Sequence, residues 1–241
     1  MQDLATKAQE RLDKGITYAR DGRLEEAAEA LLVAESLFRQ VNDEEHMGAA
    51  RAELAEVQRA NGAAEQAIAS YETAIPLFAA TKAELREANA TLALGHVVRA
   101  TNNLDRARSL YDRAMRLFTS AHDGSGQAKA TLALGHVDRQ RGQLTAAIAA
   151  YTRATELAEL VHDPYLQADA LRGMGEAYRQ QGAPDRAALA LEQAQAIYQD
   201  ARDTFGVVDT QIARGRVETE RGRFDEAGTL LSAALRRATI L

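Results

Sequence analysis

Residues 88–97 read ANATLALGHV, and residues 128–137, one fixed step further on, read AKATLALGHV; the two stretches differ only at Asn89 and Lys129. A near-identity of this length at a fixed offset points to an internal repeat, and the rest of the chain keeps the same period of 40. Gly22, Gly62, Gly142, Gly182 and Gly222 stand in register, with Asn102 in the one missing place. Glycine and asparagine enter the left-handed backbone region most readily, so the series predicts helix stops. Ala27, Ala67, Ala107, Ala147, Ala187 and Ala227 recur without exception, as do Ala34, Ala74, Ala114, Ala154, Ala194 and Ala234. The two alanine series lie two turns apart on one helix face, where small side chains let helix axes approach to the short end of the usual ~8–10 Å. A bulky pair follows near the end of most second helices: Leu37-Phe38, Leu77-Phe78, Leu117-Phe118 and Ile197-Tyr198. A compact bundle has no need of such strict periodicity, whereas a solenoid, in which each unit touches only its neighbours, does.

Each period parses into a first helix, a stop, a second helix and a short turn. Six such helix-turn-helix units, at about 4–43, 44–83, 84–123, 124–163, 164–203 and 204–241, fill the chain as one all-α solenoid over 1–241. Acidic residues open most second helices (Glu25-Glu26, Glu65, Asp105, Asp185, Asp225-Glu226), where they complement the helix dipole by ~0.3–1 kcal/mol each. Pro184 falls at a helix start, a position that tolerates it, but Pro76 falls inside the second helix of its unit and is expected to kink it.

Composition narrows the function. The chain has no cysteine, so disulfides and thiolate chemistry are excluded. The formal charge of −6 argues against a general nucleic-acid binder. Residues 1–15 mix charged with single apolar side chains, unlike a signal peptide, and no uncharged run approaches the ~18 residues of a membrane span. The expectation is a soluble, cytoplasmic chain with no membrane insertion.

These residues resemble tetratricopeptide repeats along the whole chain. That pattern, a small residue in the first helix preceded by an apolar one, then alanine, an aromatic or leucine, and alanine in the second, reads Leu94-Gly95, Ala107, Tyr111, Ala114 and again Leu134-Gly135, Ala147, Tyr151, Ala154. The long period is similar to that of Pins-type adaptors, kinesin light chain and bacterial MalT-like arrays. The resemblance implies a right-handed superhelix whose concave face captures a protein or peptide. Departures from the pattern are Lys14 and Arg214 before the glycine, and Gln58, Asp138 and Glu218 where an aromatic is usual. Unit 6 also has Arg237-Ala238 in place of the Leu-Phe pair, as expected of a terminal repeat.

At 100° per residue, Asn89, Leu92, His96 and Arg99 fall on one stripe of their helix, the stripe that lines the groove in the family. Its last position recurs as Arg59, Arg99, Arg139 and Arg179, which suggests a ladder for ligand carboxylates. Glu56 and Glu176 stand one turn before Arg59 and Arg179, so pairing within the helix competes with that reading there. Arg99 and Arg139 instead carry His96 and His136 at that offset, with Lys129 nearby and Leu92 and Leu132 expected as exposed apolar anchors. The site is therefore centred on the third and fourth units, and reversing Arg99 and Arg139 is expected to abolish binding without affecting folding.

Catalysis and cofactors find no support. No phosphate-binding glycine loop or recognisable nucleophile motif is present, and the histidines, among them the turn pairs His122-Asp123 and His162-Asp163, read as local hydrogen-bonding groups rather than metal ligands. The expected function is a non-enzymatic adaptor or scaffold, with no cofactor or metal, whose groove binds a segment carrying acidic and apolar residues. Two alternatives stand beside it: a regulator whose superhelix responds to a short peptide, and an array that self-associates through the solenoid ends, the last suggested by Thr239-Ile240-Leu241 without an added polar helix.

Overall fold

The computed structural model of the protein describes residues 2–239. Ile240 and Leu241, part of the terminus invoked for end-on stacking, lie outside the described residues. The described chain is all-α, with twelve helices in six successive pairs: α1 (Gln2–Arg20) with α2 (Leu24–Gln40), α3 (Glu44–Ala60) with α4 (Ala64–Ala80), α5 (Glu84–Ala100) with α6 (Leu104–Ser120), α7 (Gly124–Gln140) with α8 (Leu144–Leu160), α9 (Pro164–Gln180) with α10 (Pro184–Asp200), and α11 (Thr204–Glu220) with α12 (Phe224–Ala238). The chain divides into two compact units, Met1–Gly126 and Gln127–Leu241. In the first, each of α1 to α5 packs on the next helix, and α3 also touches α1 and α5. In the second, α8 to α12 follow the same order, with α9 touching α11.

The periodic residues do the work that their spacing implied. Gly22, Gly62, Gly142, Gly182 and Gly222 have φ between +74° and +78°, and Asn102 has +65°, so all six mark the left-handed stop between the helices of a pair. A second left-handed series closes each of the first five pairs, at Asn42, Lys82, His122, His162 and Arg202. Periodicity hid this series because the side chains differ. The turn leads into an aspartate at four of the next helix starts, where Asp43, Asp123, Asp163 and Asp203 each accept a backbone N–H three residues on, at 3.0–3.1 Å. Pro76 does not end α4, which is helical from Ala64 to Ala80.

Both alanine series are buried in every pair. Opposite them, the first-helix small residue makes room for a bulky second-helix side chain. A Cβ on Gly95 would lie 2.5 Å from Tyr111, and one on Gly135 2.7 Å from Tyr151. In the second unit Tyr151 is held on its other side by Gly173 of the following first helix, where a Cβ would come within 2.6 Å. Glycine appears here because the ring and the backbone occupy nearly the same space. The departures from the aromatic position are polar groups that the fold accommodates: Gln58 accepts a hydrogen bond from Ser70 at 2.8 Å, and the buried Glu218 pairs with Arg221 at 2.9 Å. Asp138 is buried too.

Candidate partner-binding face

In the first unit the helices α1, α3 and α5 line a run of three clefts. One of about 340 Å³ lies between α1 and α3 and is bounded by Arg20, Glu53, Glu56 and Arg59. A second of about 240 Å³ has a floor of Ala49, Ala52, Ala90 and Ala93, with Tyr71 and Phe78 behind and Glu53, Glu56, Arg86 and Asn89 at its rim. The third, about 660 Å³, opens between α3 and α5 among Glu56, Arg59, Ala93, His96 and Arg99. First helices thus present alanines at the base and long charged side chains at the edges.

Three consecutive pairs share one polar arrangement, in which a second-helix tyrosine reaches the first-helix residue 15 positions before it. The Tyr71 hydroxyl donates to Glu56, the Tyr111 hydroxyl meets His96 Nδ1 at 3.0 Å, and in the second unit the Tyr151 hydroxyl meets His136 Nδ1 at 2.8 Å. An arginine completes each set. Arg59 donates to Glu56 through Nε and Nη2 at 2.8 and 2.6 Å, Arg99 hydrogen-bonds the Tyr111 hydroxyl, and Arg139 Nε stands 3.4 Å from the Tyr151 hydroxyl. Burial, and then the hydrogen bond to Glu56, push the Tyr71 phenol far above its ordinary pKa, so it is a fixed donor.

The structure brings some of the sequence-derived residues together and separates others. Arg59, Asn89, His96 and Arg99 come together along the clefts of the first unit. Asn89 is exposed there, with its amide donating to the Leu85 carbonyl at 2.8 Å, and Lys129 is exposed in the second unit. Leu92 and Leu132 are not exposed anchors: they retain 6% and 9% of their surface, and Leu132 belongs to a core with Ala128, Tyr151 and Ala154. Asn89, His96 and Arg99 keep the expected phase, and only the leucine position was assigned to the wrong face. The cleft side of α5 runs through Arg86, Asn89, Ala93 and His96, while position 92 turns back onto packed helices. Arg179 is bound to Glu176 at 3.1 Å and to Glu220 at 2.7 Å, so at both outer rungs of the ladder an ion pair within the helix prevails. Arg99 is not a solvated arginine either, since its Nε is buried, and reversal of its charge would disturb Tyr111 as well as a ligand.

Sequence reasoning missed Glu53. This half-buried carboxylate lines two clefts, and desolvation together with the neighbouring Glu56 raises its pKa despite Arg20 and Arg86. The period could not reveal it, because only Asp13 among the equivalent positions is acidic, the others being Ala93, Ala133, Gly173 and Ala213.

His96 has the opposite perturbation. Its outer edge is accessible, but desolvation against Tyr111 and the cations of Arg99 and Arg59 outweigh the attraction of Glu56 and lower its pKa to about 4. The unfolded chain, with an ordinary imidazole pKa of ~6.5, then takes up the proton first. Stability is therefore expected to fall as pH drops from ~6.5 towards that lowered value. Urea midpoints taken across this range should show a steeper acid-side loss for the parent protein than for His96→Gln.

Among the described residues no group of three or more His, Asp or Glu side chains could hold a metal ion, and no helix is long and apolar enough to cross a membrane.

A family model described as tetratricopeptide repeat matches residues 86–159 and, in a second copy, 126–200. Residues 86–200 are thus matched as tetratricopeptide repeats. No curated protein matches it in sequence. Solved structures share its fold at low identity. BtubC (BKLC) from P. vanneervenii aligns over 99% of this chain and 91% of its own, at 17% identity and a TM-score of 0.73. The apo form of RapI aligns over 97% and 99%, at 12% identity and a TM-score of 0.78. A signal-transduction ATPase with a tetratricopeptide repeat sensor, from Pyrococcus horikoshii, aligns over 98% of this chain but 37% of its own length, at 15% identity and a TM-score of 0.82. At these identities the likeness is one of fold, a helical solenoid.

Proposed function

We propose that this protein is a non-enzymatic interaction scaffold that holds a peptide segment against α1, α3 and α5. The observation that carries the reading is the row of clefts with an alanine floor and charged rims, because it offers backbone-close apolar contact together with directional charge. A ligand carboxylate suits the largest cleft, where Arg59 and Arg99 stand on adjacent first helices. Glu53, which makes no ion pair of its own among the described residues, suits a basic ligand group one cleft along. The preferred segment is therefore of mixed charge with small apolar residues between, which modifies the acidic ligand expected from the arginine ladder. Peptide capture is compatible with this fold, since one structural neighbour is a Rap protein complexed with competence and sporulation factor; the alignment covers 97% of this chain at a TM-score of 0.73.

The test is selection of displayed peptides on the intact chain, followed by titration of the winners against Arg59→Glu and Glu53→Gln. Arg59 is exposed and pairs only at the surface, so its reversal should leave helicity unchanged and weaken acid-bearing peptides by about tenfold or more. Glu53→Gln should weaken peptides that carry a basic residue. Winners that bind both variants as tightly as the parent would remove these clefts from the function.

A further inference from the structure

The outer side of α12 carries an apolar stripe that the described helices leave open, although Leu231 also rests against Gly215 of α11. Phe224, Leu231 and Leu235 are 69%, 41% and 67% exposed, and Gly228 lies between them, with open space where a Cβ would stand. The spacing of four, three and four residues puts all of them on one face. The same position is treated differently one repeat earlier. Leu191 of α10, the counterpart of Leu231, is fully buried against Ala213 and Val217 of the next first helix. The α12 face is thus shaped to receive another helix.

We propose that the occupant is a second copy of this chain, joined α12 to α12 about a two-fold axis. Charge selects the arrangement. Asp225 near the start of α12 and Arg236 near its end lie on the same flank of the stripe, and neither has an ion-pair partner among the described residues. When two copies of α12 run antiparallel, each Asp225 comes alongside Arg236 of the second copy, and the pair forms twice. The apolar residues fall into register with the same operation. Phe224 meets Leu235 of the second copy, and Leu231 fits over Gly228 of the second copy, where the missing side chain lets the helices approach. A head-to-tail contact lacks this fit. The stripe of the same spacing on α1 is Asp3, Lys7, Glu10 and Lys14, and although Asp3 and Lys7 pair with each other, setting these charges against Phe224 and Leu235 would strip their water and return no polar contact from α12. The dimer carries two copies of the face on α1, α3 and α5, and so binds a ligand with repeated motifs by avidity.

The experiment is sedimentation equilibrium of the full chain from about 1 to about 100 µM, a range that spans moderate association constants. The expected result is a mass that rises from one chain to two. Phe224→Glu with Leu235→Glu should raise the concentration of half-dimerisation at least about tenfold, with circular dichroism unchanged because both side chains are already exposed. Asp225→Arg and Arg236→Asp should each weaken association alone, through like charges at both symmetric contacts. Mixed one to one they should restore it, since the mixed dimer forms two opposite-charge pairs. A parent protein that keeps the mass of a single chain throughout would overturn the proposal and assign the stripe to a different partner. A dimer untouched by the glutamates, or no restoration on mixing, would place self-association on another surface.

Discussion

Tyr151→Ala is expected to destabilise the second unit by about 3–5 kcal/mol, the range for deleting a fully buried aromatic ring. The ring has no exposed surface, and its surroundings have little means of closing over the loss. Gly135 and Gly173 approach it from two first helices with backbone rather than with flexible side chains, so the gap would persist as a cavity. The hydroxyl adds a separable part. Tyr151→Phe keeps the ring and gives up the hydrogen bond to His136, for which about 1 kcal/mol is the usual net value. Because a repeat array is stabilised by contacts between neighbours, the effect should be local. Amide hydrogen exchange should show protection lost in α8 and α9, while α11 and α12 keep most of theirs. A loss confined to the first ~1 kcal/mol in both variants would mean that the site collapses onto the missing ring and that the glycine contacts are not rigid.

Glu218→Ala is expected to cost about 2–3 kcal/mol, although it removes a charged residue from a buried site. Glu218 keeps 5% of its side-chain surface and holds Arg221, itself 17% exposed, at 2.9 Å. Breaking one side of a buried pair commonly costs ~3–5 kcal/mol, because the remaining charge is stranded. Here Arg221 retains Asp185 at 2.7 Å, which lowers the expectation. Glu218→Gln keeps a hydrogen-bond acceptor for Arg221 and should lose roughly half as much. The comparison with Arg59 and Glu56 sets the scale: their pair is shorter, at 2.6 Å, but both partners are about half exposed, and such pairs contribute ~0–1 kcal/mol. Urea unfolding of Glu218→Ala beside Glu26→Ala, whose pair with Arg23 is also 2.6 Å long and about half exposed on both sides, separates burial from distance. Equal losses in the two variants would show that depth does not govern these pairs.

Much of the site was harder to read than the fold. Glycine, asparagine and alanine at fixed steps report backbone geometry and close helix approach, and those demands are the same in every repeat. A ligand face is not bound by that demand. Glu53 occupies a position that is alanine or glycine in the next three units, and its importance comes from two clefts that meet around it. Leu92 and Leu132 failed as anchors for a related reason: an error of one residue in the helical phase is 100°, which turns a groove residue into a core residue.

The sequence by itself determined the period, the helix stops, the pairing of each small first-helix residue with a bulky second-helix one, and hence the repeat fold, because each of these is a short-range steric requirement repeated along the chain. Only the tertiary structure decided which arginines are engaged, since Arg59 and Arg179 had partners legible one turn away but Arg99 meets Tyr111 across a helix pair, and Arg179 also reaches Glu220 from a different helix. It alone also distinguished the covered Leu191 from the uncovered Leu231, which the period makes equivalent. Exposure depends on what packs against a face, and a local pattern does not carry that information.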